Sequence, residues 1–269
     1  MENNNTNESN TSDRQVDVDA YIEQWSQFCD ALKQHGREVL AHASDLDEVT
    51  QADGLRYLSR LVRGGLEKFV EYDDPNDPIL YKVFHEKLKW AGDNPDSIYS
   101  ISSLSANNDY LVRGNRGSVH YVNFTAMSMG TDGSVGVGGF LDSTELKIDA
   151  EGNCRLWISQ QPPADAAINW LPMSGDTNSV MIRQTFLNRR TENELTARIQ
   201  LQSQLVRSKA LSRSQILNGI NKASSFFQKT SATFVGLSAS MHEGVNQLPE
   251  ANPDSCLLYT SPSPRDLYR

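Results

Sequence analysis

The sequence predicts an α+β protein: a helical N-terminal layer, an antiparallel β-sandwich or jelly-roll-like module, and a long C-terminal helix. Three observations carry this expectation. Apolar residues recur at helical spacings through the first third of the chain. Between residues 93 and 203 β-branched and aromatic residues alternate with polar ones, and turn residues interrupt them at short intervals. From residue 213 a helical spacing returns and persists for about thirty residues.

Residues 1–16 are rich in Asn, Ser, Thr and Glu and offer too little apolar area to order themselves, so an unstructured tail is expected. The helical region is placed at 17–92. Its first helix follows the stripe Tyr21, Ile22, Trp25, Phe28, Leu32, Val39 and Leu40, on which Cys29 reads as a small core hydrophobe. Asp47 is an N-cap for a second helix, with Leu55, Leu58, Val62, Leu66, Phe69 and Val70 as its apolar face. Gly64-Gly65 is expected to bend or end that helix. Asp73 to Pro78 breaks the chain, and a short third helix is expected through Val83, Leu88 and Trp90.

The β module is placed at 93–203. Strands are expected near 97–104, 109–114, 118–127, 143–149, 154–159, 179–188 and 194–202. Hairpin turns are expected at Arg113-Gly114-Asn115-Arg116-Gly117 and at Asp149 to Asn153. The glycine-rich run Gly133 to Gly139 fits no phosphate-loop pattern and reads as a loop, either mobile or closing over a ligand. Segment 194–202 contains helix formers, but Leu195, Ala197, Ile199 and Leu201 alternate with polar residues, which favours a strand. Ser212-Arg213-Ser214-Gln215 fits a capping box for the long helix at 212–246. Residues 247–269 lose all periodicity.

The chain has 269 residues and a net charge of −9. A nucleic-acid partner demands a cationic footprint, so none is expected. The charge is nonetheless uneven: nine basic residues face two acidic ones between Arg183 and Lys229. This stretch either complements the acidic N-terminal half or offers an anion or membrane-surface site. No apolar run reaches bilayer length and the N-terminus lacks a signal-like apolar core, so a soluble cytoplasmic protein is expected. Three cysteines without CxxC spacing and five scattered histidines give neither a disulfide framework nor a zinc pattern; no metal and no cofactor is expected.

Two constellations remain. Asp93, Asn94, Asp96 and Tyr99 stand at a helix-to-strand junction. Arg113, Asn115 and Arg116 surround a turn, and guanidinium forks suit carboxylates and phosphates. With Trp170 and Arg183 these are the ligand-binding candidates. The bland alternative is a turn tied down by an Arg113–Asp96 pair.

The series Gly92-Asp93-Asn94-Pro95-Asp96, Arg113-Gly114-Asn115-Arg116-Gly117-Ser118, Asn169-Trp170-Leu171-Pro172 and Arg183-Gln184-Thr185-Phe186 resembles the N-terminal half of bacterial proteins carrying the domain of unknown function numbered 1214, over roughly residues 20–250. The resemblance implies that the long helix is a linker to a second, jelly-roll-type β module, a missing partner from the same chain. It brings no reaction with it. Residues 256–269 resemble translated sequencing-adapter DNA found at the ends of metagenomic gene predictions, which implies a truncated chain. Truncation would leave Phe227, Phe234 and Met241 on an exposed apolar stripe.

The leading functional expectation is a non-catalytic module that binds a small ligand or a protein. The rivals are a hydrolase or sugar-active enzyme with Asp93, Asp96, Tyr99, Arg113, Arg116 and Arg183 around one cleft, and a cell-envelope or assembly protein.

Overall fold

The computed structural model describes residues 7–42, 46–85, 87–89, 94–130, 135–202 and 212–243; side chains are described from residue 18 to residue 237. Trp90, Asp93 and the segment 247–269 lie outside the described residues.

Helix α1 spans Asn7–His42 and so begins inside the segment expected to be an unstructured tail. Of its expected apolar stripe only Phe28 and Val39 are fully buried, while Ile22 and Trp25 are exposed. Cys29 is exposed as well, which corrects its reading as a core residue. Helix α2 spans Glu48–Leu66, with Asp47 Oδ1 accepting from the Thr50 backbone N–H at 3.0 Å as an N-cap should. The helix runs through Gly64-Gly65, both buried, and widens into a π turn at Glu67–Glu71.

Among the described residues the expected third helix does not form. Strand β1 (Tyr81–Lys82) pairs with β2 (Ser97–Ser103), Val83 N–H donates to Tyr99 C=O at 3.0 Å, and His85 bridges Leu88. The segment sits between two proline-bearing turns, too short for helical bonds to offset the cost of nucleation, and the β2 edge offers ready partners.

Seven further strands follow among the described residues: β3 (Tyr110–Asn115), β4 (Tyr121–Met129), β5 (Val135–Asp142), β6 (Asn153–Ser159), β7 (Asn169–Pro172), β8 (Ser179–Thr185) and β9 (Thr196–Leu201). They form a five-stranded sheet in the order β1-β2-β8-β4-β5 and a four-stranded sheet in the order β7-β6-β3-β9. All pairings are antiparallel except β6 with β7. Val122, Phe124, Ala126, Val180 and Ile182 from the first sheet meet Tyr110, Val112, Leu156, Ile158, Leu171 and Ile199 from the second in one core, giving a sandwich.

Three sequence expectations change. Segment 143–149 is not a strand. Asp142 Oδ1 accepts from Thr144 N–H at 2.7 Å, which turns the chain, and buried Asn169 takes the Lys147 backbone on both sides at 2.7 and 2.9 Å. The side chain of Asn169 thus replaces a strand partner. The Asp149 to Asn153 turn forms, with Asp149 Oδ1 accepting from Asn153 N–H at 2.7 Å, but it opens β6 instead of joining two strands. Conversely, most of the glycine-rich run forms β5, paired with β4. A Cβ at Gly139 would collide with the Pro172 carbonyl, so glycine there serves close approach of neighbouring backbone, not mobility.

Helix α3 spans Arg213–Glu243, and its capping box closes reciprocally: Ser212 N–H donates to Gln215 Oε1 at 2.9 Å and Gln215 N–H to Ser212 Oγ at 3.2 Å. The chain divides into two units, residues 1–231 and 232–269. Within the first unit α3 packs on the other helices through Phe226 against Phe69 and Phe227 against His35. Phe227 is buried, contrary to its place on an exposed stripe; Phe234 is half-buried.

Candidate functional site

Strand alternation gives each sheet an inner and an outer face. On the four-stranded sheet Leu111, Arg113 and Asn115 of β3 point outward. The register aligns them with Trp157, Arg155 and Asn153 of β6 and with Gln200, Arg198 and Thr196 of β9. The central row is therefore Arg155–Arg113–Arg198, three guanidinium side chains side by side on adjacent strands. Strands are spaced about 4.8 Å apart, so the row spans about 10 Å at its base. The groove over it is lined by Arg113, Asn115, Asn153, Arg155, Thr196 and Arg198.

The three arginines are held differently. Arg155 Nη2 reaches Asp165 Oδ2 at 3.3 Å across the surface. Arg113 Nη1 donates to Gln200 Oε1 at 2.7 Å, a neutral acceptor that leaves its charge uncompensated. The bland expectation of an Arg113–Asp96 pair is thereby corrected. Arg198 is exposed and makes no hydrogen bond or ion pair among the described residues. Like charges directly opposite one another on adjacent strands destabilise a sheet. One carboxylate against three guanidiniums leaves a positive strip on a chain whose net charge is −9.

A second row flanks the first. Leu111, Trp157 and Trp170 follow one another on β3, β6 and β7, with Trp157 and Trp170 in register. Trp170 Nε1 donates to Ser159 Oγ at 3.3 Å, which fixes the indole; both tryptophans are half-buried and Leu111 is buried. On the other side Asn115 is locked: its Nδ2 donates to Glu151 C=O at 2.9 Å and its Oδ1 accepts from Gly117 N–H at 3.1 Å. Asn115 thus shapes the groove's rim.

Arg113 to Gly117 is not a hairpin turn. Strand β3 pairs with β6 and β9, and the chain leaves Asn115 for the opposite sheet. Arg116 secures that crossing by donating to the carbonyls of Val119 and His120 at 2.6 and 3.2 Å, and burial lowers its pKa. Gly117 has φ 61°, and a Cβ there would meet the Asn193 carbonyl at 2.5 Å.

Tyr99 and Arg183 do come together, but on the outer face of the five-stranded sheet. They are direct neighbours on β2 and β8, with the guanidinium 5.4 Å from the Tyr99 ring and Phe84 edge-on against the same ring at 5.5 Å. Asn94 and Asp96 close a local turn, Asn94 Oδ1 accepting from Asp96 N–H at 2.8 Å. The single cleft of the enzyme reading is thus not assembled among the described residues: Tyr99 and Arg183 lie on one outer face of the sandwich, Arg113 on the other, and Arg116 between sheets. Sequence reasoning missed Arg155, Arg198 and Trp157. Their signal was the shared parity of Arg113, Arg155 and Arg198 with outward positions, readable only once the strand register is known.

No three His, Cys, Asp or Glu side chains converge as a metal site among the described residues. No described helix is long and apolar enough to cross a membrane. Neither a family model nor a curated protein matches the chain. Among solved structures, an uncharacterised protein from Burkholderia cenocepacia is similar at a TM-score of 0.79 and 36% identity, over 85% of this chain and 63% of that protein. A protein from Vibrio parahaemolyticus matches 39% of this chain and 30% of its own at 15% identity, with a TM-score of 0.29. The chain therefore shares its fold with the Burkholderia protein and spans less than two thirds of that protein's length.

Proposed function

We propose that the chain is a non-catalytic binding module whose four-stranded sheet takes a ligand carrying several carboxylate or phosphate groups. The observation that supports this is the Arg155–Arg113–Arg198 row, in register across three strands with one carboxylate among them. Guanidinium forks bind such oxyanions bidentately, and a ligand with anionic groups at about 5 Å intervals meets all three. Trp157 and Trp170, half-buried beside the row, suit the ligand's apolar or sugar-like body.

Titration calorimetry with citrate, inorganic pyrophosphate and glycerol as neutral control tests the reading. Binding of at least one anion, weakened about tenfold or more in Arg113→Ala and Arg198→Ala, is the expected result, since a charge-assisted hydrogen bond contributes about 1.5–3 kcal/mol. Raised salt should weaken it further. Heats that are absent, or equal in wild type and both variants, would refute it.

A second reading rests on the Burkholderia protein, of which this chain covers 63%. We infer that the chain corresponds to the N-terminal part of a longer bacterial protein of the kind that carries the domain of unknown function numbered 1214. The motif series supports it, and a further β module would then be a candidate occupant of the arginine face. Expression of the full-length gene and amide hydrogen exchange over β3, β6 and β9 would test whether the arginine groove becomes protected relative to the present chain.

A further inference from the structure

On the far side of the sandwich, the π turn lays Lys68 against the outer face of the five-stranded sheet. Its Nζ donates to the Met129 thioether at 3.3 Å and stands 5.3 Å from the centroid of the Phe69 ring. A thioether is a weak acceptor and neutralises nothing. The carboxylate whose charge acts on it is already engaged: Asp73 Oδ2 takes the Lys222 ammonium at 2.7 Å and its Oδ1 accepts from Ser103 Oγ at 3.1 Å. Tyr72 and Tyr81 stack at 4.4 Å beside this group. Lys68 makes no ion pair among the described residues. Two ammonium groups thus compete for one aspartate, and Lys68 is the one left in apolar surroundings.

We propose that Lys68 Nζ is a nucleophilic amine that condenses with small aldehydes or ketones. The amine lone pair attacks the carbonyl carbon and forms the C–N bond. The carbinolamine then loses its oxygen as water, which carries off both amine protons, and a C=N bond remains. No oxidant or reductant enters. Burial lowers the Lys68 pKa to about 8, Lys222 pushes in the same direction, and Asp73 opposes them. The neutral, reactive form is therefore present near neutrality, as in other desolvated lysines beside a second cation. The charged and titratable groups around it are Lys222 from α3, Asp73 and Tyr72 from the segment after the turn, Glu67 on the turn, and Tyr81 from the sheet, whose phenol burial raises.

The test uses the full chain with propionaldehyde and sodium cyanoborohydride, which traps the imine as a secondary amine. Peptide mass spectrometry reads the labelling rate of each lysine at pH 6, 7, 8 and 9. Lys68 is expected to label at least about tenfold faster at pH 7 than the exposed Lys33 and Lys87. Lys222→Met should slow Lys68 severalfold by removing a like charge. Asp73→Asn should speed it. Exposed lysines should not respond to either change. Lys68→Arg, checked for folding by circular dichroism, should lose the fast label. Labelling of Lys68 at or below the exposed rate, or rates unmoved by both neighbouring substitutions, would overturn the proposal.

Discussion

The two outer faces of the sandwich carry opposite chemistry. On the five-stranded sheet, outward residues of the inner strands are covered: Ile101 and Met127 are buried and Arg183 is only 9% exposed, while Val137 and Phe140 on the β5 edge are open. The segment after α2 makes that cover, with Tyr72 on Tyr81, Asp73 on Ser103 and Lys68 on Met129. On the four-stranded sheet the outward Arg113, Arg155 and Arg198 are open. The same alternation of strand residues thus gives a covered face on one sheet and an open cationic row on the other. What decides between them is whether another element packs outside, a property of the tertiary fold.

The difference can be probed by substitution. The deepest effect should come from the core shared by both sheets: Phe124→Ala is expected to cost about 3–5 kcal/mol in urea unfolding. Ile101→Ala, although it points away from that core, should still cost about 2–4 kcal/mol because its face is covered. A loss within the surface range would show that the cover is loose. Lys68→Met should instead stabilise by roughly 1–3 kcal/mol at pH 7, since it removes a desolvated ammonium. The sign of its pH dependence follows from the lowered pKa. Between about 8 and the usual value near 10.4 the unfolded chain binds more protons than the folded one. Wild-type stability therefore gains from this group as pH rises through that window, and the advantage of Lys68→Met shrinks over it. Unfolding curves at pH 7 and pH 10 check this. The smallest effect is expected at Arg198→Ala, within about 0.5 kcal/mol of wild type, with relief of like-charge repulsion favouring the variant.

Much of the architecture was legible in the sequence. Asp47 and the Ser212 to Gln215 box marked helix starts, because capping is a local interaction. The alternation at 196–201 identified β9 despite its helix formers, because burial of one face outweighs intrinsic propensity. What escaped depended on distant partners. Strand β5 was hidden by glycines that make room for Pro172, and β7 by its shortness. The strand expected at 143–149 was lost to a side chain, Asn169, twenty-two residues away from Lys147. The site was half legible. Arg113 was singled out for its guanidinium, yet its partners in the row are forty-two and eighty-five residues distant and meet it only through register. Tyr99, Asp96 and Arg116 were drawn together by short sequence motifs, whereas the fold assigns them to separate faces and turns.

The arginine face is best examined by a two-dimensional 1H–15N spectrum of the deuterated chain, observing backbone amides and arginine Nε–Hε groups during a citrate titration. The expected result is a set of saturable shifts confined to β3, β6 and β9, with the Nε signals of Arg113, Arg155 and Arg198 moving together and the neighbours of Arg183 unmoved. Shifts concentrated around Tyr99 and Arg183, or no saturable shift at the three arginines, would contradict the account.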